Sequence, residues 1–235
     1  MLLNPPAAQA QNRLIAMLPP AERKRLLERC ERVSHDLEHI LARDGEQMRH
    51  AWFPTTGMIS QIQPSESGWI EVALVGFEGM VGLGLVLGVG KSLVTATVQA
   101  PGEFLRIPAR AYQAELERSA RLRKLSGAYA YVQMKQMALA AACNRFHLVE
   151  QRLARWLLMS ADRTRSRRFR MTHDVLAQML GVRRPGVTSA ASALQARNLI
   201  RYSRGTIDIL DRTALEAASC ECYRAQVQAY KGLFG

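Results

Sequence analysis

The stretch from Thr172 to Leu210, THDVLAQMLGVRRPGVTSAASALQARNLIRYSRGTIDIL, decides the fold of the C-terminal part of the chain. It contains two short runs in which apolar residues recur at the i, i+3, i+4, i+7 spacing of a one-sided helix. These apolar residues are Val175, Leu176, Met179 and Leu180 in the first run and Val187, Ala190, Ala191 and Leu194 in the second. Gly181 supplies the positive φ that a tight turn between two helices needs, Thr172 suits the N-cap of the first helix, and Pro185 suits the opening of the second. Residues 198–210 then predict two short strands around Arg204-Gly205, so the stretch indicates a helix-turn-helix followed by a wing.

The polar residues of this motif predict a DNA-binding surface. With the apolar stripe inward, the second helix turns Arg184, Thr188, Ser189 and Ser192 outward, and Arg183 stands in the turn before it. Such side chains reach phosphates and base edges in a major groove. Arg201 and Arg204 on the wing, and the helix end capped by Thr172, are expected to contact phosphates and to set affinity rather than sequence preference.

The charge distribution supports this interpretation. The chain of 235 residues has a formal net charge of +12, and between Cys143 and Gly205 it contains thirteen arginines and no lysine. Only Glu150, Asp162 and Asp174 oppose them, which leaves a local balance of +10. An isolated basic run is usually a solvated loop, but a basic concentration beside a groove-reading helix is typical of a nucleic-acid-binding domain.

The rest of the chain predicts an α+β protein of two domains joined by a long helix. Short strand-like segments separated by turn residues run from Val33 to about Pro108, which favours an antiparallel sandwich or jelly-roll-like β-roll. Helical patterns return after Ala109. The expected division is a β-roll sensor domain at 1–108, a dimerisation helix at 109–145 and a winged helix-turn-helix domain at 146–235.

A regular stripe along the long helix predicts a dimer. Its positions follow a 3-4-3-4 spacing, and the expected interface comprises Leu122, Leu125, Tyr129, Val132, Gln136 and Leu139, with Cys143 and Phe146 continuing the stripe. This is the spacing of a parallel coiled coil, in which one polar position such as Gln136 fixes the register. The alternative is that the stripe packs on its own β-roll.

The order of β-roll, long helix and winged helix-turn-helix resembles the Crp/Fnr family of bacterial transcription regulators over nearly the whole chain. The resemblance is strongest in QRLARWLLMSADR (151–163), THDVLAQMLGV (172–182) and NLIRYSRGTIDIL (198–210). In the first half, DGEQMRHAWFPTTGMIS (44–60) and EVALVGFEGMVGLG (71–84) are similar to the family's turn and phosphate-cassette segments. The resemblance implies a cyclic-nucleotide-binding type of β-roll followed by a winged helix.

Departures from the family pattern indicate a different signal and a different operator. Members of the family that bind cyclic AMP carry Gly-Glu-Leu and, about ten residues later, Arg-Ser. In this chain Leu83 follows Gly82, and the later pair is Leu93-Val94. The nearby cation is Lys91. A buried phosphate would lack its arginine partner, so control by cyclic AMP is not expected.

On the second helix of the motif, Arg184 matches a family contact position, but Pro185 and Ser189 replace residues that often read bases. We therefore expect an operator half-site different from that of the best-known members.

No metal site, cofactor or catalytic set is expected. Cys220 and Cys222 are two residues apart, and on a helix such side chains point about 200° away from each other, so they would not chelate one ion. His35 and His39 are interpreted as solvated or hydrogen-bonded residues on one strand face. No Ser/His/Asp set, carboxylate pair or Walker loop stands out, so the chain is not expected to be an enzyme.

The leading prediction is a homodimeric, sequence-specific transcription regulator on a pseudo-palindromic operator. Its expected partners are double-stranded DNA and a second copy of the chain, and RNA polymerase is a candidate partner. The sequence does not identify a small-molecule effector, and the protein either has none or has one that the sequence does not reveal. No membrane segment is expected, which predicts a cytoplasmic protein. The alternative is a ligand- or redox-sensing module whose DNA affinity is mainly non-specific.

Overall fold

The computed structural model describes residues 11–66 and 68–234. Residues 1–10, where the sequence predicts no export signal, lie outside this part of the chain. The described helices are α1 Arg13–Ala16, α2 Pro20–Leu27, α3 Leu83–Val86, α4 Ala109–Arg118, α5 Ala120–Phe146, α6 Val149–Thr164, α7 His173–Met179, α8 Arg184–Ala196, α9 Arg212–Ala218 and α10 Glu221–Phe234. The described strands are β1 Glu31–His35, β2 Ile40–Ala42, β3 His50–Pro54, β4 Met58–Ser65, β5 Gly68–Val75, β6 Thr95–Ala100, β7 Gly102–Pro108, β8 Arg168–Arg170, β9 Ile200–Ser203 and β10 Thr206–Ile209.

The strands of the first half form the predicted antiparallel β-roll. One sheet has the order β1-β7-β3 and the other the order β2-β6-β4-β5. The β1–β7 register runs from Glu31 opposite Arg106 to His35 opposite Gly102, with the strands antiparallel. Large side chains from strands and loops fill the interior, among them the fully buried Phe53, Phe77 and Phe104. The α+β fold class predicted from the sequence is therefore confirmed.

The chain separates into two compact units. Of the described residues, 11–61 group with 74–134, and 62–66 and 68–73 group with 135–234. The end of the β4–β5 hairpin thus belongs to the second unit, where the indole Nε1 of Trp156 donates a hydrogen bond to Glu71 Oε1 at 2.9 Å. No helix in the described part of the chain is long and apolar enough to span a membrane.

The helical region after the β-roll differs from the prediction of one helix over 109–145. Ser119 has an extended backbone (φ −119°, ψ 103°), which divides the region into α4 and α5. Its hydroxyl accepts a hydrogen bond from the backbone N–H of Leu122 at 2.9 Å. Serine side chains favour such helix starts because they satisfy an N–H that the helix leaves without a partner.

The residues predicted to form the dimer interface are instead core residues of the chain itself. Leu122, Leu125, Tyr129, Val132 and Gln136 are 0–5 % exposed, and Leu139 is half-buried. A Cβ at Gly79 would come within 2.1 Å of the Tyr129 hydroxyl, which shows how closely this side chain is enclosed. The five buried residues are not available to a second copy, so their assignment to a dimer seam is wrong and they pack within the chain instead. Leu139 packs against Cys143, Cys220 and Cys222.

Gln136, the polar member of that stripe, also has intrachain partners. Its Oε1 accepts hydrogen bonds from Gln226 Nε2, from the Tyr230 hydroxyl at 3.3 Å and from an Arg163 guanidinium N–H at 3.4 Å. A buried amide is tolerated when its polar atoms are satisfied in this way. The group interpreted as fixing the register of a dimer therefore fixes the packing of α5 against α6 and α10.

Candidate nucleic-acid interface

The helix-turn-helix comprises α7 and α8 and follows the sequence prediction closely. The Thr172 hydroxyl accepts a hydrogen bond from Val175 N at 3.3 Å and so caps α7. Gly181 has φ +60°, in the left-handed region that the turn requires. A Cβ at this glycine would also lie 2.7 Å from Cδ1 of Ile70, so space as well as backbone angle favours glycine here.

The α8 helix separates an apolar face from a polar one. Val187, Ala190, Ala191 and Leu194 are at most 5 % exposed, as their spacing predicts. The side chains predicted to contact DNA from this helix and from its start are all exposed: Arg183, Arg184, Thr188, Ser189 and Ser192. Arg184 lies within 3.4 Å of the Asp174 carboxylate, and both groups are about two-thirds exposed. This contact pre-orients the guanidinium without burying it.

His173, which the sequence analysis missed, connects the parts of this surface. Its Nδ1 is 2.9 Å from the Thr188 hydroxyl, and its ring stacks on Tyr202 of β9 with centroids 4.3 Å apart. Partial burial, with a further contribution from the charge of Arg184, lowers the pKa of His173 below its ordinary value. The ring is therefore neutral near pH 7. Because His173 simply follows the capping threonine in sequence, no periodicity signal marks it.

The wing consists of β9, β10 and the turn between them, and β8 adds a third strand on the other side of β10. Arg204 and Gly205 form the two-residue turn with φ +48° and +75°, the backbone signs of a type I′ hairpin. Arg201, Arg204 and the capping residue Thr172 are exposed, in agreement with their predicted access to phosphates. The sequence analysis did not identify β8, Arg168–Arg170.

One carboxylate on the wing faces two of its arginines. Asp208 lies 3.7 Å from Arg201 and 3.5 Å from Arg168, measured between carboxylate oxygens and guanidinium nitrogens. Arg204 has no such ion pair among the described residues. The wing therefore presents one unopposed guanidinium at its tip and two whose charge is shared with an acid.

Two of the thirteen arginines in the basic region do not serve a surface role. Arg152 and Arg163 are only 5 % and 3 % exposed. A guanidinium N–H of Arg152 donates to the carbonyl of Leu180 at the end of α7, and also to Asn144 Oδ1 at 2.7 Å. The net charge counted from the sequence thus overstates the surface charge, because part of it supports the turn of the motif from inside.

The cysteines of the second unit are placed differently from the prediction. Cys220 precedes α10 and Cys222 lies in its first turn, so the two do not share one regular helix. Their sulfurs converge with those of Cys143 and with the His147 ring, and the ligand atoms of these four residues lie within 4.8 Å of one another. The argument that Cys220 and Cys222 point apart is therefore wrong.

His35 and His39 also do not share a strand, because His39 lies beyond β1; their rings stack with centroids 4.0 Å apart.

Comparisons with known proteins agree with this architecture. Residues 151–218 match the family model described as the Crp-like helix-turn-helix domain. No curated protein has a sequence that matches the chain significantly. Among solved structures, a protein of Eubacterium rectale described as a transcriptional regulator of the Crp/Fnr family is 20 % identical, with a TM-score of 0.68 over 87 % of this chain and 96 % of that one.

Two further solved structures are similar to the same extent. The c-di-GMP-responsive global regulator CLP of Xanthomonas campestris is 17 % identical, with a TM-score of 0.67 over 82 % of this chain and 100 % of that one. FixK2 of Bradyrhizobium japonicum is 12 % identical, with a TM-score of 0.67 over 81 % of this chain and 98 % of that one. The chain therefore has the fold of the Crp/Fnr transcription regulators and carries a Crp-like helix-turn-helix, their type of DNA-binding domain, at residues 151–218.

Proposed function

We propose that the protein is a sequence-specific transcription regulator that binds a pseudo-palindromic operator as a homodimer in the cytoplasm. The observation that carries the proposal is the outward face of α8, where Arg184, Thr188 and Ser192 lie one above another and are exposed while the opposite face is buried. In a helix-turn-helix this face enters the major groove, and bidentate arginine contacts discriminate a base pair by about 1–3 kcal/mol each.

The proposed dimer uses the face of α5 opposite to the buried stripe. Tyr131 and Met134 are 68 % and 63 % exposed on this face, which is unusual for side chains of their kind. Exposed small residues flank them at helical spacing: Gly127, Ala128, Ala138 and Ala142. Small residues beside two large apolar ones allow a second α5 to approach closely, and we assign the face to a second copy of the chain because a pseudo-palindromic operator requires two.

The dimer is tested by giving this face a charge. Met134→Glu is expected to convert the dimer into a monomer in sedimentation analysis, since two carboxylates would then meet across the two-fold axis. Leu87→Glu is the matched control, because Leu87 is also an exposed apolar side chain, at 55 %, but lies outside α5. A wild-type chain that sediments as a monomer, or equal effects of the two variants, would refute this interface.

We further propose that cyclic AMP is not the signal. By the resemblance to cyclic-AMP-binding members of the family, Leu83 and Leu93 replace the acid and the arginine that hold the ribose and the phosphate. In addition, a Cβ at Gly84 would come within 1.9 Å of the Lys91 carbonyl oxygen. The backbone at Lys91, in the loop between α3 and β6, therefore lies directly against α3. Calorimetric titration with cyclic AMP and cyclic GMP is expected to give no heat of specific binding; micromolar binding would contradict this part of the proposal.

The function is tested by selecting bound duplexes from a random pool with the purified protein. Enrichment of a two-fold symmetric motif, with half-sites about 34 Å apart, is the expected result. Arg184→Ala should change the selected motif at one base pair in each half-site. Salt-sensitive binding without any enriched sequence would favour the alternative of a sensing module with non-specific DNA affinity.

A further inference from the structure

Four metal-binding side chains converge outside the DNA-binding surface. Cys143 and His147 come from the end of α5, one helical turn apart, and Cys220 and Cys222 lie at the start of α10. The three cysteines are 1–3 % exposed, and Leu139 packs against them. The cluster therefore joins two segments that are about 75 residues apart in sequence, and it is shielded from solvent on the cysteine side.

Two of the six distances between the four ligand atoms match the edges of a tetrahedron around one ion, and all four atoms lie within 4.8 Å of one another. The sulfurs of Cys143 and Cys220 are 3.6 Å apart, and Cys222 Sγ is 3.6 Å from His147 Nδ1. Zinc bonds of about 2.3 Å to sulfur and 2.0–2.1 Å to nitrogen place tetrahedral ligands about 3.8 Å apart for two sulfurs and about 3.6 Å apart for sulfur and nitrogen. The distances between Cys143 and Cys220 and between Cys222 and His147 agree with these values to within a few tenths of an ångström.

The His147 ring is oriented as in a metal site. While Nδ1 faces Cys222, Nε2 lies 2.9 Å from the Glu221 carboxylate. A carboxylate that accepts the other ring N–H fixes the tautomer and raises the basicity of the ligating nitrogen. Glu221 lies between the two cysteines in sequence, so one short segment supplies two ligands and the group that orients a third.

Two arginine side chains lie close to the cluster. Thiolate is the form of cysteine that binds metal. Three thiolates and a neutral imidazole around a divalent ion leave a net charge of about −1, and Arg155 and Arg152 interact electrostatically with these sulfurs.

We propose that Cys143, His147, Cys220 and Cys222 bind one Zn²⁺ in a closed tetrahedral site. Four protein ligands leave no position for water or substrate, so the ion is structural rather than catalytic. It ties the end of α5 to the start of α10, and these are the two helices that also meet at Gln136. This inference does not depend on the proposed operator or effector.

The test begins with the wild-type chain, expressed without a histidine tag and purified under reducing conditions. Elemental analysis and native mass spectrometry are expected to give one zinc per chain. Exchange with Co²⁺ should produce the visible bands of tetrahedral cobalt and the ultraviolet sulfur-to-metal band of three thiolates. Removal of the metal by a chelator should lower the melting temperature by about 10 °C, because a tight ligand is lost from the folded state.

Variants separate the ligands from other cysteines. Cys222→Ser should weaken the sulfur-to-cobalt band by about one-third, as one of three thiolates is lost. Glu221→Gln should retain the ligands but lower the metal affinity about 10–100-fold. Cys30→Ser is the control, because Cys30 lies in the first unit, outside the cluster, and its substitution should leave the zinc content unchanged.

Two results would overturn the proposal. One is reduced wild-type protein that binds neither Zn²⁺ nor Co²⁺ when either is supplied in excess. The other is a native disulfide between Cys143 and Cys220, seen as a mass two hydrogens lower, in protein that still contains no metal after reduction and zinc addition.

Discussion

Arg204 at the tip of the wing offers a direct measure of how the protein contacts the DNA backbone. Because it has no ion pair among the described residues, its whole charge is available to a phosphate. Its φ of +48° lies in the left-handed region, which costs about 1–2 kcal/mol for ordinary residues, arginine and alanine alike. Asparagine tolerates this conformation, and Asn-Gly is a preferred type I′ turn, so Arg204→Asn removes the charge and retains the turn.

The size of the effect follows from the number of phosphates involved. One arginine per protomer gives two phosphate contacts per operator, and each contributes about 0.9 to the slope of log affinity against log salt. The slope of the variant should therefore be smaller by about 1.8. Between 50 and 200 mM salt the variant should lose about 12-fold less affinity than the wild type.

Fluorescence anisotropy with a labelled operator, titrated at several salt concentrations, measures this slope. Arg43→Asn is the matched control: it makes the same change of charge at an exposed arginine in the other unit, and its slope should equal that of the wild type. An unchanged slope for Arg204→Asn, or a changed preference at a single base pair, would refute the assignment of Arg204 to phosphate.

Three further predictions concern the motif and the wing. Arg184→Ala should reduce discrimination at one base pair per half-site by about 1–3 kcal/mol, with little effect on a scrambled duplex, as measured by competition with single-base variants. Asp208→Asn should free the charges of Arg168 and Arg201, so the affinity for specific and scrambled duplexes should rise alike. The dependence of log affinity on log salt should also become steeper. A weaker complex would contradict the interpretation that these arginines share their charge with Asp208. Gly181→Ala should lower the free energy of unfolding by about 1–3 kcal/mol, because residue 181 has a φ of +60° and a Cβ there would lie 2.7 Å from Ile70. Thermal unfolding measures this loss, and an unchanged midpoint would contradict the prediction.

The sequence predicts the helix-turn-helix well because every local signal there agrees. The cap at Thr172, the glycine at 181 and the apolar spacing of α8 each depend on near neighbours in sequence, and all three are confirmed. His173 and Asp208 were missed because their roles arise from contacts across elements. No local pattern states which side chain a histidine at the start of a helix will meet.

The stripe on α5 shows a different limit. Its spacing correctly marks one buried face, with Leu125 and Tyr129 at 5 % and 0 % exposure. Periodicity does not state what covers that face, and the same pattern suits a second helix or the chain's own core. The face that remains open is marked instead by Tyr131 and Met134, whose exposure only the fold reveals.

The cysteines show that an error in one helix boundary can lead to a wrong prediction about a metal site. If Cys220 were inside a helix, its side chain would point away from that of Cys222. Because α10 starts at Glu221, Cys220 is free to turn toward Cys222, and Cys143 approaches both from α5. Element boundaries are the least certain part of sequence interpretation, and here one residue decides whether four ligand atoms converge.

The absence of lysine between Cys143 and Gly205 has a consequence for how this surface can be regulated. Arginine remains protonated at every physiological pH, and acetylation, which removes the charge of lysine, does not act on it. Lysine acylation therefore cannot lower the positive potential that α8 and the wing present to DNA. Asp174 and Asp208 lie against arginines of this surface, so the sequence itself sets how much of the arginine charge is opposed.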